Sequence, residues 1–160
     1  MLISVLSAGL LGASVKRRIE LLSKLLMMIK SIRAYISFSK LPLTRIMKEL
    51  EADREFSCLG FLNELNLSLD TGEDFYAAFE ESLLSFYKDS ALKDEDIRLV
   101  LSFAGALGSS DVNGQLQNCD TYSELLSARI DRLNENAENK IRVYNSLGFL
   151  AATLVAVLIL

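Results

Sequence analysis

Apolar residues recur along this chain at helical spacing, and between residues 19 and 139 no stretch alternates with the period of two that a half-buried strand needs. Leu22, Leu25, Ile29, Ile32 and Ile36 step by three and four, which predicts a first helix running to about Phe38. Pro42 marks a break, and its fixed φ suits the first turn of a second helix carrying Leu43, Ile46, Met47 and Leu50. Phe56, Leu59, Leu62 and Leu65 predict a short third helix. Thr71 before Asp74, and Asp70 before Glu73, resemble a capping box ahead of a fourth helix with Phe75, Phe79, Leu83 and Phe86. Asp94, Glu95 and Asp96 place negative charge at the first turn of a fifth, whose stripe is Ile97, Val100, Leu101 and Ala104. From Ser110 onward nothing stops a helix, and Leu116, Cys119, Leu126, Ile130, Leu133, Ala137, Ile141 and Tyr144 keep a single stripe. The fold class is all-α: short helices forming a bundle.

At both ends the stripe gives way to residues that are apolar all round. Met1–Val15 holds no charged residue and is followed by Lys16, Arg17 and Arg18; Lys140 and Arg142 precede Val143–Leu160, an uncharged run of 18 residues. The second run falls within the roughly 17–25 residues of a spanning helix, and the first is short unless tilt or snorkelling helps. A secretory signal has the reverse order, basic residues first, so the first run is not one. The expected organisation is an N-terminal transmembrane segment (1–15), a cytoplasmic helical bundle (16–142) and a C-terminal transmembrane segment (143–160). Both basic clusters flank the bundle, which by the positive-inside rule puts it in the cytoplasm with both termini on the opposite side. Small residues four apart, Gly9 with Ala13 and Gly148 with Ala152 and Ala156, would let two spanning helices approach closely.

Composition narrows the chemistry. The chain has 160 residues, 51% of them hydrophobic, and no histidine. Without imidazole, Ser-His-Asp, Cys-His and HExxH arrangements cannot exist. Cys58 and Cys119 have no CxxC spacing and read as free, packed thiols. The formal charge of −4 is unevenly spread: residues 1–54 carry 10 Lys and Arg against 4 Asp and Glu, residues 55–139 carry 5 against 17, and residues 140–160 carry 2 against none. An acidic middle argues against nucleic-acid binding.

The most distinctive stretch is Leu107-Gly108-Ser109-Ser110-Asp111-Val112-Asn113-Gly114-Gln115, between the fifth and sixth helices. Gly108 suits the end of one helix, and Ser110 or Asp111 the cap of the next. The stretch lacks the spacing and the lysine of a phosphate-binding loop. Asp94-Glu95-Asp96 and Glu80-Glu81 read as acidic surface for a basic partner rather than as metal ligands. Lys16, Arg17 and Arg18 stand near enough to the first apolar end to meet anionic lipid headgroups. No catalytic, cofactor-binding or metal-binding residue is expected, and no cofactor.

Taken in order, these features resemble the stage III sporulation protein AB family of endospore-forming bacteria over nearly the whole chain. The resemblance rests on an apolar N-terminal helix followed by arginines, Pro42-Leu43, and Gly72 leading to Ala78-Phe79. Its most specific part is Leu107-Gly108-x-Ser110-Asp111-x-x-x-Gln115, and Tyr144-x-x-Leu147-Gly148 completes it. Tyr35 stands where the family has an acidic residue, and Phe79 where tryptophan is common. The resemblance implies a non-enzymatic membrane component, in the mother cell, of the secretion-like channel that joins mother cell to forespore. It further implies a cytoplasmic bundle similar to that of the inner-membrane platform proteins of type II secretion and type IV pilus systems. The neighbour it implies is a cytoplasmic secretion ATPase, stage III sporulation protein AA. Gly108, Ser110, Asp111 and Gln115 then shape either the fold or a partner contact. The alternative reading of the chain is a helical membrane-anchored adaptor or regulator unrelated to secretion.

Overall fold

Leu22, Leu25, Ile29, Ile32 and Ile36 share one side of the first helix, and in a computed structural model of the protein all five are buried. The structure describes residues 2–39, 41–107 and 111–159, with side chains for 13–39, 41–107 and 111–137. Helix α1 (Leu2–Ala34) ends in a wider π-helical turn, Tyr35–Ser39, which keeps Ile36 in the core and leaves Phe38 85% exposed. Helix α2 (Leu43–Ala52) follows, with Pro42 one residue before its first turn: the Pro42 carbonyl accepts from the Arg45 and Ile46 N–H groups at 2.9 and 3.1 Å.

The third predicted helix divides. Arg54–Phe56 is a single 3-10 turn, Phe56 and Leu59 are buried by way of short turns, and helix α3 spans Phe61–Asp70. Helix α4 (Phe75–Tyr87) starts from Asp74, whose Oδ1 accepts from the N–H groups of Tyr76 and Ala77 at 3.0 and 3.2 Å. Asp74 is thus the cap itself, and Thr71 instead donates its hydroxyl to the Ser68 carbonyl. Helices α5 (Asp94–Ala106) and α6 (Val112–Ile159) complete the chain.

Among the described residues the fold is an all-helical bundle with no strand. Helix α1 packs along α6, α2 to α5 pack each against the next, and α5 closes back on α6. The core joins the α1 stripe to Ile46, Met47 and Leu50 of α2, Phe61, Leu62 and Leu65 of α3, Ala78, Phe79 and Leu83 of α4, and Ile97, Val100, Phe103 and Ala104 of α5. Phe103 takes the core place expected for Leu101, which is half-buried. The Phe61 ring meets those of Phe79 and Phe86 at 5.4 and 5.8 Å, and Phe103 meets Tyr122 of α6 edge-on at 5.6 Å. Each such pair adds about 1 kcal/mol to the burial of its rings. Among the described residues no helix is long and apolar enough to cross a membrane. The side chains of 1–12 and 143–160, on which the two transmembrane expectations rest, lie outside the described residues.

Candidate functional site

Where α5 ends and α6 begins, the described residues are tied by capping and side-chain bonds. Asp111 stands immediately before α6, and its Oδ1 accepts from the Gly114 N–H at 2.9 Å while its carbonyl accepts from the Gln115 N–H at 2.9 Å. One turn further on, Asn118 Nδ2 donates to the Ala106 carbonyl at 3.1 Å, tying the last turn of α5 to α6, and Leu107 is buried beneath. Asp111 is exposed and Gln115 half-buried; Gly108 and Ser110 lie outside the described residues. The chemistry of Asp111 is therefore that of an N-cap, a side-chain oxygen accepting an N–H that the helix itself cannot satisfy.

The densest polar cluster forms elsewhere, at the first turn of α5. Asp96 is fully buried. Its Oδ2 accepts from Arg18 Nε at 2.7 Å, its Oδ1 from Arg18 Nη2 at 2.9 Å and from Arg129 Nε at 2.7 Å. The Lys93 N–H adds a fourth bond, to Oδ2 at 2.9 Å. Glu95 pairs with the same two arginines, taking Arg18 Nη2 at 2.8 Å and also contacting Arg129. Two carboxylates thus meet two guanidiniums from α1 and α6, with every charge paired. Burial pushes the Asp96 carboxyl up, but the bonds from Arg18, the Lys93 N–H and Arg129 outweigh it and hold the group below the usual carboxylate range. The bonds from Arg129 and Arg18 lower the Glu95 carboxyl to about 2. Arg18 is raised in turn, chiefly by its bond to Asp96.

Two expectations are corrected here. Arg18 faces inward, at 5% exposure, rather than towards lipid headgroups, and Asp94-Glu95-Asp96 is not an open acidic surface, since Asp94 accepts from the Tyr87 hydroxyl and its two neighbours hold the arginines. Arg129 entered no sequence pattern. The usable signal was angular: Arg18 lies four residues before Leu22 and Arg129 three after Leu126, so both arginines ride on buried stripes. Lys24 with Glu55 and Arg33 with Asp120 form further pairs at the bundle surface. Cys119 is buried, and burial pushes its thiol up to about 11, whereas Cys58 is exposed rather than packed. Among the described residues no three metal-ligating side chains gather.

The comparisons with known proteins agree with this architecture. The family model described as stage III sporulation protein AB matches residues 1–160. The chain belongs to the stage III sporulation protein AB family. A solved structure titled stage III sporulation protein AB is similar in fold, with a TM-score of 0.62 at 20% identity, covering 76% of this chain and 97% of its own. No curated protein matches the chain. For a member of the stage III sporulation protein AB family, the Leu107–Gln115 stretch quoted from the sequence is, where its residues are described, a helix-capping corner, and the buried charge cluster lies at the opposite end of α5.

Proposed function

We propose that this chain is a non-enzymatic membrane component of the sporulation-specific, secretion-like channel between mother cell and forespore. In it the chain acts as a platform that couples a cytoplasmic secretion ATPase to the membrane complex. The observation that carries the reading is family membership over residues 1–160. The geometry supports it in one respect. The helices whose outer ends are apolar, α1 and α6, are both ion-paired to the first turn of α5, so a displacement of the head is transmitted to both at once. In this reading segments 1–15 and 143–160 enter the mother-cell membrane, the bundle lies in the cytoplasm and both termini lie on the opposite side.

The test is co-purification of the full-length chain with the ATPase, stage III sporulation protein AA, from sporulating cells. Retention of the ATPase is expected, together with loss of sporulation on deletion of the gene. Intact sporulation after deletion would favour an adaptor unrelated to secretion. Asp111→Ala is expected to keep the ATPase and lose stability, because the Asp111 side chain caps α6, whereas Gln115→Ala, which keeps its backbone N–H to the Asp111 carbonyl, is expected to keep the ATPase; loss of the ATPase by a well-folded Asp111→Ala protein would instead make the corner a contact.

A further inference from the structure

The two anchors that hold α1 against α6 also fix which parts of the helices stand level. Arg33 Nε meets Asp120 Oδ1 at 2.6 Å, and nearer the apolar ends Arg18 and Arg129 share Asp96, each Nε 2.7 Å from a carboxylate oxygen. Both helices rise by about 1.5 Å per residue and run antiparallel, so positions can be counted outward from each anchor. Lys16 is 17 residues before Arg33, which sets it level with Ala137, the position 17 residues past Asp120. From the second anchor it is 2 residues before Arg18 and level with Asp131, 2 past Arg129. The counts differ by the reach of the arginine side chains across Asp96, and they bracket the register. Lys140 and Arg142, the charges that border the second apolar run, therefore do not stand opposite Lys16 and Arg17. Arg142 lies 5 to 11 residues beyond the level of Lys16, roughly 8–17 Å further from the bundle.

One membrane surface cannot border both runs at once. With Arg142 at the edge of the hydrocarbon and 143–160 inside it, Gly12–Val15 stay outside, since Gly12 is level with Ile141 on the first count and with Glu135 on the second. With Val15 at the edge instead, Lys140 and Arg142 would be drawn into the hydrocarbon, where a charged side chain is costly. The composition of the first run favours the former arrangement. Ser7-Ala8-Gly9-Leu10-Leu11-Gly12-Ala13-Ser14 has six small residues of eight, which gain little from lipid, whereas the more apolar Leu2, Ile3, Val5 and Leu6 precede it. Ala13, Lys16 and Arg17 are exposed. The headgroup layer is about 5–8 Å deep, so Lys140 and Arg142 lie within it while Lys16 and Arg17 stand at its outer limit or beyond.

We propose that α6 sets the depth of this chain in the membrane, with Lys140 and Arg142 as the contacts for anionic lipid headgroups, and that α1 meets the bilayer staggered, with Gly12–Val15 outside the hydrocarbon. The proposal rests on the placement of 143–160 in the membrane given above. It is tested on the full-length chain in vesicles of phosphatidylcholine and phosphatidylglycerol, in a Cys58→Ser background that leaves only the buried Cys119. Single cysteines are introduced by Ala13→Cys, Asn136→Cys, Asn145→Cys and Leu147→Cys, the last two on opposite sides of α6. A membrane-impermeant maleimide added on the bundle side is expected to modify Ala13→Cys as fast as Asn136→Cys. Asn145→Cys and Leu147→Cys are expected to react at least about tenfold more slowly, because a thiol held in hydrocarbon does not ionise. Ala13→Cys reacting as slowly as those two means that both runs enter at one depth, which overturns the stagger and leaves the placement of 143–160 standing. Fast modification of Asn145→Cys and Leu147→Cys overturns that placement and the stagger with it. In the second arm, the preference for spin-labelled phosphatidylglycerol over spin-labelled phosphatidylcholine is expected to fall about fivefold in Lys140→Ala/Arg142→Ala and to stay native in Lys16→Ala/Arg17→Ala. Any other pattern overturns the headgroup assignment.

Discussion

Asp96 is the residue on which three helices depend. Its carboxylate is the shared acceptor for Arg18 and Arg129 and also bonds the Lys93 N–H, so removing its charge leaves two arginines sharing the half-exposed Glu95 as their remaining counter-ion. Breaking a buried pair by deleting one partner costs about 3–5 kcal/mol, a large share of the roughly 5–15 kcal/mol that holds a domain together. Asp96→Asn is accordingly expected to lower the free energy of unfolding by about 3 kcal/mol in urea titration, and Glu95→Gln, at a half-exposed side chain, by far less. Acid should act on the same cluster. Both carboxyls titrate below their unfolded values, Glu95 at about 2, so their contribution is complete above the unfolded carboxyl pKa of about 4 and drains away as pH falls towards 2. The melting temperature of the native chain should fall across that interval, and that of Asp96→Asn should fall less; an equal fall would show that the cluster does not govern acid sensitivity. The cluster was only half legible in the sequence. Charge runs read as solvated surface unless their partner is known, and Arg129 is 33 residues away from Asp96, so the angular position of Arg18 and Arg129 on buried stripes was the one local clue.

Helices declared themselves where spacing mixed threes and fours, and misled where it did not. Ile46, Met47 and Leu50 of α2, Phe79 and Leu83 of α4, Ile97, Val100 and Ala104 of α5 and Cys119 and Leu126 of α6 are buried as their periodicity predicts, but Phe56, Leu59, Leu62 and Leu65 step by three every time, a period that eclipses side chains in a 3-10 helix and drifts in an α-helix. The chain resolves this by making 3-10 turns first, with Phe56 N–H to Asp53 carbonyl, Ser57 N–H to Arg54 carbonyl and Leu59 N–H to Phe56 carbonyl, and starting α3 only at Phe61. At the next junction Gly72 has φ +88, a conformation that side-chain-bearing residues avoid, and Asp74 caps α4. Gly72→Ala is expected to cost about 1 kcal/mol and Asp74→Ala about 1 kcal/mol, both read as a lowered denaturation midpoint with unchanged slope. The two losses act at neighbouring turns of the same connection, so the double variant should fall short of the sum if the α3–α4 turn opens as a unit.

At the scale of the molecule, the antiparallel pairing of α1 with α6 is pinned by Arg33 with Asp120 towards one end and by the Asp96 cluster towards the other. The buried residues of the described core all lie between Arg18 and Leu126. In the proposed reading the folding free energy of the head resides inside residues 16–142, and the two apolar runs take their energy from lipid. At about 0.8 kcal/mol per buried CH₂, an uncharged run such as Val143–Leu160 gains far more from lipid than the cluster gains from its pairs. A chain of residues 16–142 should thus unfold cooperatively with a melting temperature within a few degrees of the full-length head in detergent, and should lose membrane association. Deleting 143–160 alone should release more protein from membranes than deleting 2–15, because the first run is several residues short of a full span. An unfolded 16–142 fragment would mean that the ends complete the core, and membrane association that survives loss of both runs would transfer the anchoring role to the basic residues Lys16 and Arg17, which are exposed.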